Sequence, residues 1–317
     1  MPFNIDSKQL NLISSPHVID SVTNRKVMIM VIISLLPLCI YGVVLFGISA
    51  LILMVTSIVS CVAFEYLSAK FLKKTVLISN CSAIITGILL ALTVSPHVSV
   101  WMIIIGSFFA IVVGKEFFGG IGSNVFNPAL IGRSFMVLSF AKAMGSYPNP
   151  VDGVSGATTL GLVKSGALEV SAHEYWRYFV GYEGGTIGET SVLLILIAAL
   201  FLIITKVIDW RAPVFMVGTV AFCIFLAGGD VLAHVLSGGL IFGAVFMATD
   251  YVTAPVTPRG RIIFGIGCGL ITFLIRQFGG LPEGVMFSIL IMNTMTPFLN
   301  KIVVRKYGYP KKFGGKK

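Results

Sequence analysis

A succession of apolar segments, each close to the length of a bilayer crossing, constrains this chain more than any other feature. A spanning helix needs roughly 20 predominantly apolar residues. Ten stretches approach that length: 27–46, 48–68, 78–94, 99–114, 127–145, 188–205, 212–228, 231–250, 262–278 and 284–303. Several are short or interrupted by Gly and Pro, notably around Pro96, Gly119–Gly122 and Gly279–Pro282. Such segments predict broken helices packed inside a bundle rather than facing lipid.

Composition agrees. Only 11% of the 317 residues are charged, against about 25% in a soluble domain. A mean hydropathy of +0.96 leaves little room for a soluble domain. Residues 1–317 therefore read as a single all-α integral membrane domain. It has a polar N-terminal segment (1–26), a polar loop rich in Gly and Ser (146–187) and a basic tail (304–317). Residues 1–26 do not resemble a signal peptide, and the first apolar run is long enough to span.

The net charge of +10 is read through position. With the N-terminus in the cytoplasm, ten crossings put Arg25, Lys26, Lys70, Lys73, Lys74, Lys206, Arg211, Arg259, Arg261 and the basic tail on the inside. Lys142, Lys164 and Arg177 fall outside, among seven acidic residues. Lys and Arg favour cytoplasmic loops, so both termini are expected there. No basic patch interleaves with aromatics, which argues against nucleic acid. The cysteines form no CxxC pair, which argues against an iron–sulfur or zinc site built from this chain alone. They read as buried apolar thiols.

An internal repeat is visible. TGILLALT (86–93) aligns with FGAVFMAT (242–249), and FFGGIG (117–122) with QFGGLP (277–282). Five segments separate the copies. An odd number requires the halves to be inverted in the membrane, a common plan for transporter-like folds.

Two motifs carry candidate chemistry. The polar loop holds Asp152-Gly-Val-Ser155-Gly156-Ala157-Thr158-Thr159, which by its residue types alone is a turn followed by a helix start. The second is Lys115-Glu116-Phe117-Phe118-Gly119-Gly120-Ile121-Gly122-Ser123-Asn124-Val125-Phe126-Asn127-Pro128-Ala129-Leu130-Ile131-Gly132-Arg133. It lacks the third glycine and the preceding strand of a dinucleotide fingerprint. Asn127 can cap a helix that has Pro128 in its first turn. Arg133, Arg276 and Asp250 lie within apolar segments, where a charge marks either function or a structural ion pair.

Both motifs, with SPHVIDSVTNRKVM (15–28) and MATDYVTAPVTPRG (247–260), resemble the D subunit of the Rnf ion-translocating oxidoreductase complex. They also resemble the B subunit of the sodium-pumping NADH:quinone reductase, which usually has a longer N-terminal extension. The resemblance implies ten helices in two inverted five-helix repeats, similar to urea transporters. It implies FMN joined to Thr158 by a phosphoester, with Ser155, Gly156 and Ala157 completing the flavinylation motif, and a noncovalent riboflavin contacted by Asn124 and Asn127. Arg276, just before the second FGG turn, is then expected near the FMN phosphate. Its alternative is to snorkel to the surface. The implied function is electron relay from an outer covalent FMN to an inner flavin, coupled to Na+ or H+ transport between ferredoxin and NAD. Implied partners are the A, B, C, E and G type subunits, one of them a second covalent-flavin subunit, and a flavin transferase during maturation. The alternatives are the quinone reductase B subunit and a flavin-free urea-transporter-like channel.

Overall fold

A computed structural model describes residues 23–73, 80–148, 155–156, 172–181, 184–280 and 283–302. The regular secondary structure of the described residues is almost all helical. α1 (Asn24–Phe46) and α2 (Ile48–Phe71) form a hairpin through Gly47. α3 (Ser82–Leu92) follows, then α4 (Val100–Phe108), which continues as a π-helix over Phe109–Glu116. α5 (Pro128–Ser139) and the single turn α6 (Ala141–Met144) lead to β1 (Tyr147–Pro148), which pairs antiparallel with β2 (Ser155–Gly156). α7 (Ala172–Val180), α8 (Val192–Ile204) and α9 (Arg211–Leu226) come next. α10 (Val231–Leu236) is separated from α11 (Leu240–Phe242), whose π-helical continuation covers Gly243–Met247. α12 (Pro258–Phe278) and α13 (Val285–Leu299) close the bundle.

Three of these helices, α1, α2 and α12, are long and apolar enough to cross a membrane. Five more are apolar but only 10–17 residues long. The difference from ten full-length segments has local causes. Segment 231–250 breaks at Ser237-Gly238-Gly239, where both glycines take positive φ. Segment 78–94 begins its helix only after Cys81, which takes a left-handed φ of 59°. Segment 127–145 divides at Phe140. The polar loop 146–187 contains α7, which its Gly- and Ser-rich composition does not announce. This helix packs on α8 and α10, and Tyr41 of α1 donates to the Val180 carbonyl at its end (3.0 Å).

Packing is organised around α2 and α9. α2 lies against α3 and α4, and α9 against α10 and α12. α1 meets α8, and α5 meets α13. The contiguous core runs through all of these helices, with Leu35, Leu90, Ile103, Leu130, Met216, Phe242 and Phe264 almost fully enclosed. Apolar side chains such as Val44, Val59, Leu200 and Phe225 face outward, as a lipid-facing perimeter requires. Cys61 and Cys268 are buried, whereas Cys39, Cys81 and Cys223 are partly exposed.

Candidate functional site

Two short helices begin abruptly within the bundle, and each starts beside a buried cation. The first-turn N–H groups of a helix have no partners in the helix itself, and the dipole there favours negative charge. At the start of α3, Lys115 Nζ donates to Ser82 Oγ (2.7 Å) and to Glu65 Oε1 (2.7 Å). Lys115 comes from the π-helical stretch and Glu65 from α2, and both are buried. Before the start of α11, Arg276 from the last turn of α12 donates to the carbonyls of His234 (2.5 Å) and Gly238 (2.8 Å). Arg276 is 2% exposed. It neutralises carbonyls left without partners at the C-terminal end of α10, so the snorkelling alternative is overturned.

Glu189 supplies the anion at the α11 start. A Cβ on Gly239, whose φ is +59°, would lie 2.5 Å from Glu189 Oε1. Only glycine therefore leaves room for this carboxylate. Arg133 of α5 holds it, with Nη1 3.2 Å from Glu189 Oε1 and Nη2 2.6 Å from Glu283 Oε2. Tyr147 of β1 and Arg276 lie within electrostatic reach of both glutamates. Tyr147 stands opposite Gly156 in the two-residue ladder. The segment bearing Ser155 and Gly156 is thereby tied by its backbone to a strand whose tyrosine faces this cluster.

Asn127 caps α5 as its sequence implies. Its Oδ1 accepts from Ala129 N (3.0 Å) and Leu130 N (3.4 Å). Its Nδ2 donates to the Met247 carbonyl (3.4 Å), at the end of the second π-helical stretch. Asn293 of α13, with its amide turned to suit its neighbours, accepts from the Asn127 backbone N–H (3.3 Å) and donates to the Ile289 carbonyl (3.3 Å). Asn124 donates to the Phe126 carbonyl (3.1 Å) and is buried.

One residue beyond Met247 opens a cavity of about 520 Å³, lined in part by Thr249, Asp250, Lys206, Trp210, Arg211 and Arg261. Its volume falls in the range of cofactor pockets. Aromatic and apolar walls with convergent cations suit a flavin-sized ring. Asp209 bridges Arg211 and Arg261 at 2.6 Å each. Burial alone would raise its carboxyl. The Arg211 backbone N–H and the two guanidinium groups outweigh burial and hold the carboxyl below the usual carboxylate range. Asp250 accepts from Thr253 Oγ1 (2.8 Å), closing the turn after the π-helix.

The residues anticipated from sequence thus fall in two places. Asn127 is bonded to Met247, one residue before the cavity lining, whereas Asn124 is bonded only to the nearby Phe126 carbonyl, and neither lines the cavity. Arg276 lies with the Arg133 cluster, to which β1 ties Ser155 and Gly156. Ser155 and Gly156 form a strand pair rather than the turn their composition suggests, and Ala157 and Thr158 lie outside the described residues. Glu65, Glu189, Glu283 and Asn293 belong to these sites without standing in a recognisable motif. Glu65 carries a usable signal, as the lone acidic residue of segment 48–68. Glu189 and Glu283 sit at segment ends, where they read as ordinary loop charges.

A multi-pass membrane protein with discontinuous helices and buried ion pairs at their starts is the class these features define. The chain belongs to the NQR2, RnfD, RnfE family, which matches residues 11–308. It is 42% identical to the D subunit of the proton-translocating ferredoxin:NAD(+) oxidoreductase complex of Clostridium ljungdahlii, over 95% of each chain. It is also 42% identical to the D subunit of the Na(+)-translocating ferredoxin:NAD(+) oxidoreductase complex of Acetobacterium woodii, over 95% of this chain and 96% of that one. The D subunit of the ion-translocating oxidoreductase complex of Stutzerimonas stutzeri is 37% identical over 89% of this chain and 92% of that one.

Proposed function

We propose that this chain is the flavin-carrying membrane subunit of an Rnf-type ion-translocating electron-transport complex. It relays electrons between a covalent FMN on Thr158 and a noncovalent riboflavin near Asn124 and Asn127, coupled to Na+ or H+ movement between ferredoxin and NAD. Similarity over nearly the full length to subunits named for that reaction carries the reading. The substrates react on partner subunits, since this chain has no ferredoxin-type cysteine pattern and no nucleotide fingerprint.

The flavins supply the one-electron chemistry, and the protein supplies placement and electrostatics. Ser155 and Gly156 hold the attachment segment against β1. Asn127 is already committed to its cap and to Met247, so its part is to fix the cavity wall. The aromatic and cationic lining is left to meet the ring.

The proposed architecture is ten helices in two inverted halves. Lys115 reaches Ser82, and Arg276 reaches Gly238. Ser82 and Gly238 coincide under the alignment of 86–93 with 242–249. The cross-packing of α1 with α8 and of α5 with α13 follows the same correspondence. The sidedness follows the Lys and Arg pattern, with the cavity on the cytoplasmic side, the Arg133 cluster outside, and the chain in the cytoplasmic membrane.

The test is Thr158→Ala in the assembled complex. In-gel flavin fluorescence of the denatured subunit is expected to vanish while membrane insertion persists. Tryptic mass spectrometry showing an unmodified Thr158 in active wild-type complex overturns the assignment. Complete absence of covalent flavin favours the channel alternative.

A further inference from the structure

The cavity beyond Met247 continues into a second, apolar space. A crevice of about 70 Å³ shares Val207, Ile208, Thr249, Asp250 and Tyr251 with it. Away from those shared residues the crevice meets only apolar side chains, among them Val31 of α1, Ile85 and Leu89 of α3 and Phe246 of the second π-helical stretch. The charged side chains of the cavity corner, Lys206, Asp209, Arg211 and Arg261, do not line it. A flavin is divided in the same way. Its dimethylbenzene edge is hydrocarbon, whereas its pyrimidine edge and ribityl chain carry carbonyls, an N–H and hydroxyls. Burial in an apolar crevice favours the first. The second needs hydrogen-bond partners once it leaves water, and the charged corner supplies them.

That corner holds cations already matched by a carboxylate. Asp209 Oδ2 accepts from Nη1 of Arg211 and from Nη1 of Arg261, at 2.6 Å each. Its Oδ1 accepts from the Arg211 backbone N–H (2.9 Å). Arg261 Nε donates to the Pro255 carbonyl (2.9 Å), and the Arg211 guanidinium lies 5.5 Å over the Trp210 ring. Lys206 and the carboxyl of Asp250 stand in the same lining. Phosphate is bound well by guanidinium forks that are free to donate in pairs. Here each fork has an arm on Asp209, and an entering phosphate meets that carboxylate as a like charge. Hydroxyls and ring carbonyls meet no such repulsion and can accept from the guanidinium N–H groups that remain.

We propose that Asp209 makes this cavity selective for a flavin without a phosphate, seated with its dimethylbenzene edge in the crevice and its ribityl chain at the Arg211–Arg261 corner. The inference rests on the reading that the noncovalent flavin occupies this cavity. It adds the residue that chooses between flavins and the direction in which the ring enters. The phosphate that fixes FMN to Thr158 then also keeps FMN out of the inner site, so the two flavins of one subunit cannot exchange places.

Equilibrium dialysis of the purified full-length subunit against riboflavin or FMN tests this, with noncovalently bound flavin released by denaturation and resolved by chromatography. Wild type is expected to bind riboflavin about tenfold more tightly than FMN, the scale of one like charge close to the phosphate. Asp209→Asn keeps an acceptor for the arginines and removes the charge. It is expected to tighten FMN about tenfold and to change riboflavin little, so that the preference collapses. Val31→Phe fills the crevice and is expected to weaken both flavins alike, leaving their ratio unchanged. Equal affinity for the two flavins in wild type overturns the selection without reliance on any variant. An unchanged ratio in Asp209→Asn overturns the role of Asp209. Unchanged affinities in Val31→Phe overturn the orientation. Binding of neither flavin by wild type shows that the cavity is not the flavin site, and the underlying reading then falls together with the inference, whereas the other failures leave that reading standing.

Discussion

Arg133 and Glu283 meet across 150 residues of chain, Nη2 to Oε2 at 2.6 Å. The contact joins α5 to the start of α13, and with Glu189 it makes one guanidinium the shared anchor of two distant segments. Removing one partner of a buried ion pair leaves an uncompensated charge, which costs about 3–5 kcal/mol. Arg133→Leu is therefore expected to lower the thermal midpoint of the detergent-solubilised subunit sharply. Arg133→Leu combined with Glu189→Gln and Glu283→Gln is expected to recover much of the loss. A triple variant no more stable than the single one would show that packing, not charge, sets the effect.

Gly239→Ala tests the same cluster through sterics. The new methyl group would stand 2.5 Å from Glu189 Oε1 in a backbone with φ of +59°. Overpacking of this kind costs about 1–3 kcal/mol. The expected result is a destabilised protein whose loss is relieved by Glu189→Gly, measured by thermal unfolding of both variants.

Asn127 separates capping from cofactor positioning. Loss of an N-cap side chain costs about 0.5–2 kcal/mol. Asn127→Asp keeps the acceptor for Ala129 and Leu130 but gives up the donor to Met247. It is expected to keep the cap and to reduce extractable riboflavin, at a cost in stability because the buried carboxylate then faces the Met247 carbonyl. Asn127→Ala is expected to lose both. Riboflavin content unchanged in the Asp variant would confine Asn127 to its cap.

Asp209 makes the Arg211–Arg261 corner of the cavity sensitive to acid. Its folded carboxyl is held below the ordinary carboxylate range. The stabilisation it gives is therefore present above the unfolded value and is lost as pH falls through the lower folded one. Asp209→Asn is expected to lower the thermal midpoint in the neutral region and to flatten the acid limb of a midpoint-against-pH profile, the two proteins converging at low pH. An identical acid limb in the variant would place the sensitivity elsewhere.

Cysteine labelling at positions 119 and 279 tests the inverted halves. Opposite sides of sealed vesicles are expected to label the two positions, and labelling from one side only ends the repeat. The two FGG turns already differ locally. Gly119 and Gly120 take φ of 120° and 97°, whereas Gly279 has φ of −78°. The second turn thus has no need of glycine for a left-handed backbone at Gly279.

Hydropathy reaches the membrane class and most segment positions, because burial in lipid and burial in a bundle select the same residues. It does not reach the breaks. Cys81 precedes α3 in a left-handed conformation that nothing in LISNCSAII announces. Asn127 is legible because its cap is local and Pro128 follows it. The partners of Arg133 are not, since Glu189 and Glu283 lie 56 and 150 residues away and look like ordinary loop acids.

The bond from Asn127 to the Met247 carbonyl spans 120 residues, which bears on how the chain is made. At roughly 5–20 residues per second of synthesis, the two atoms emerge about 6–24 s apart. The amino-terminal half must therefore wait in the membrane with the Asn127 amide unmatched until the second π-helical stretch arrives. The insertion machinery, or lipid-facing water near the bilayer edge, has to shelter that polar group during the interval. A ribosome stalled before Phe242 should leave a half-protein that is inserted yet readily extracted, because the seam that closes the bundle has not been synthesised.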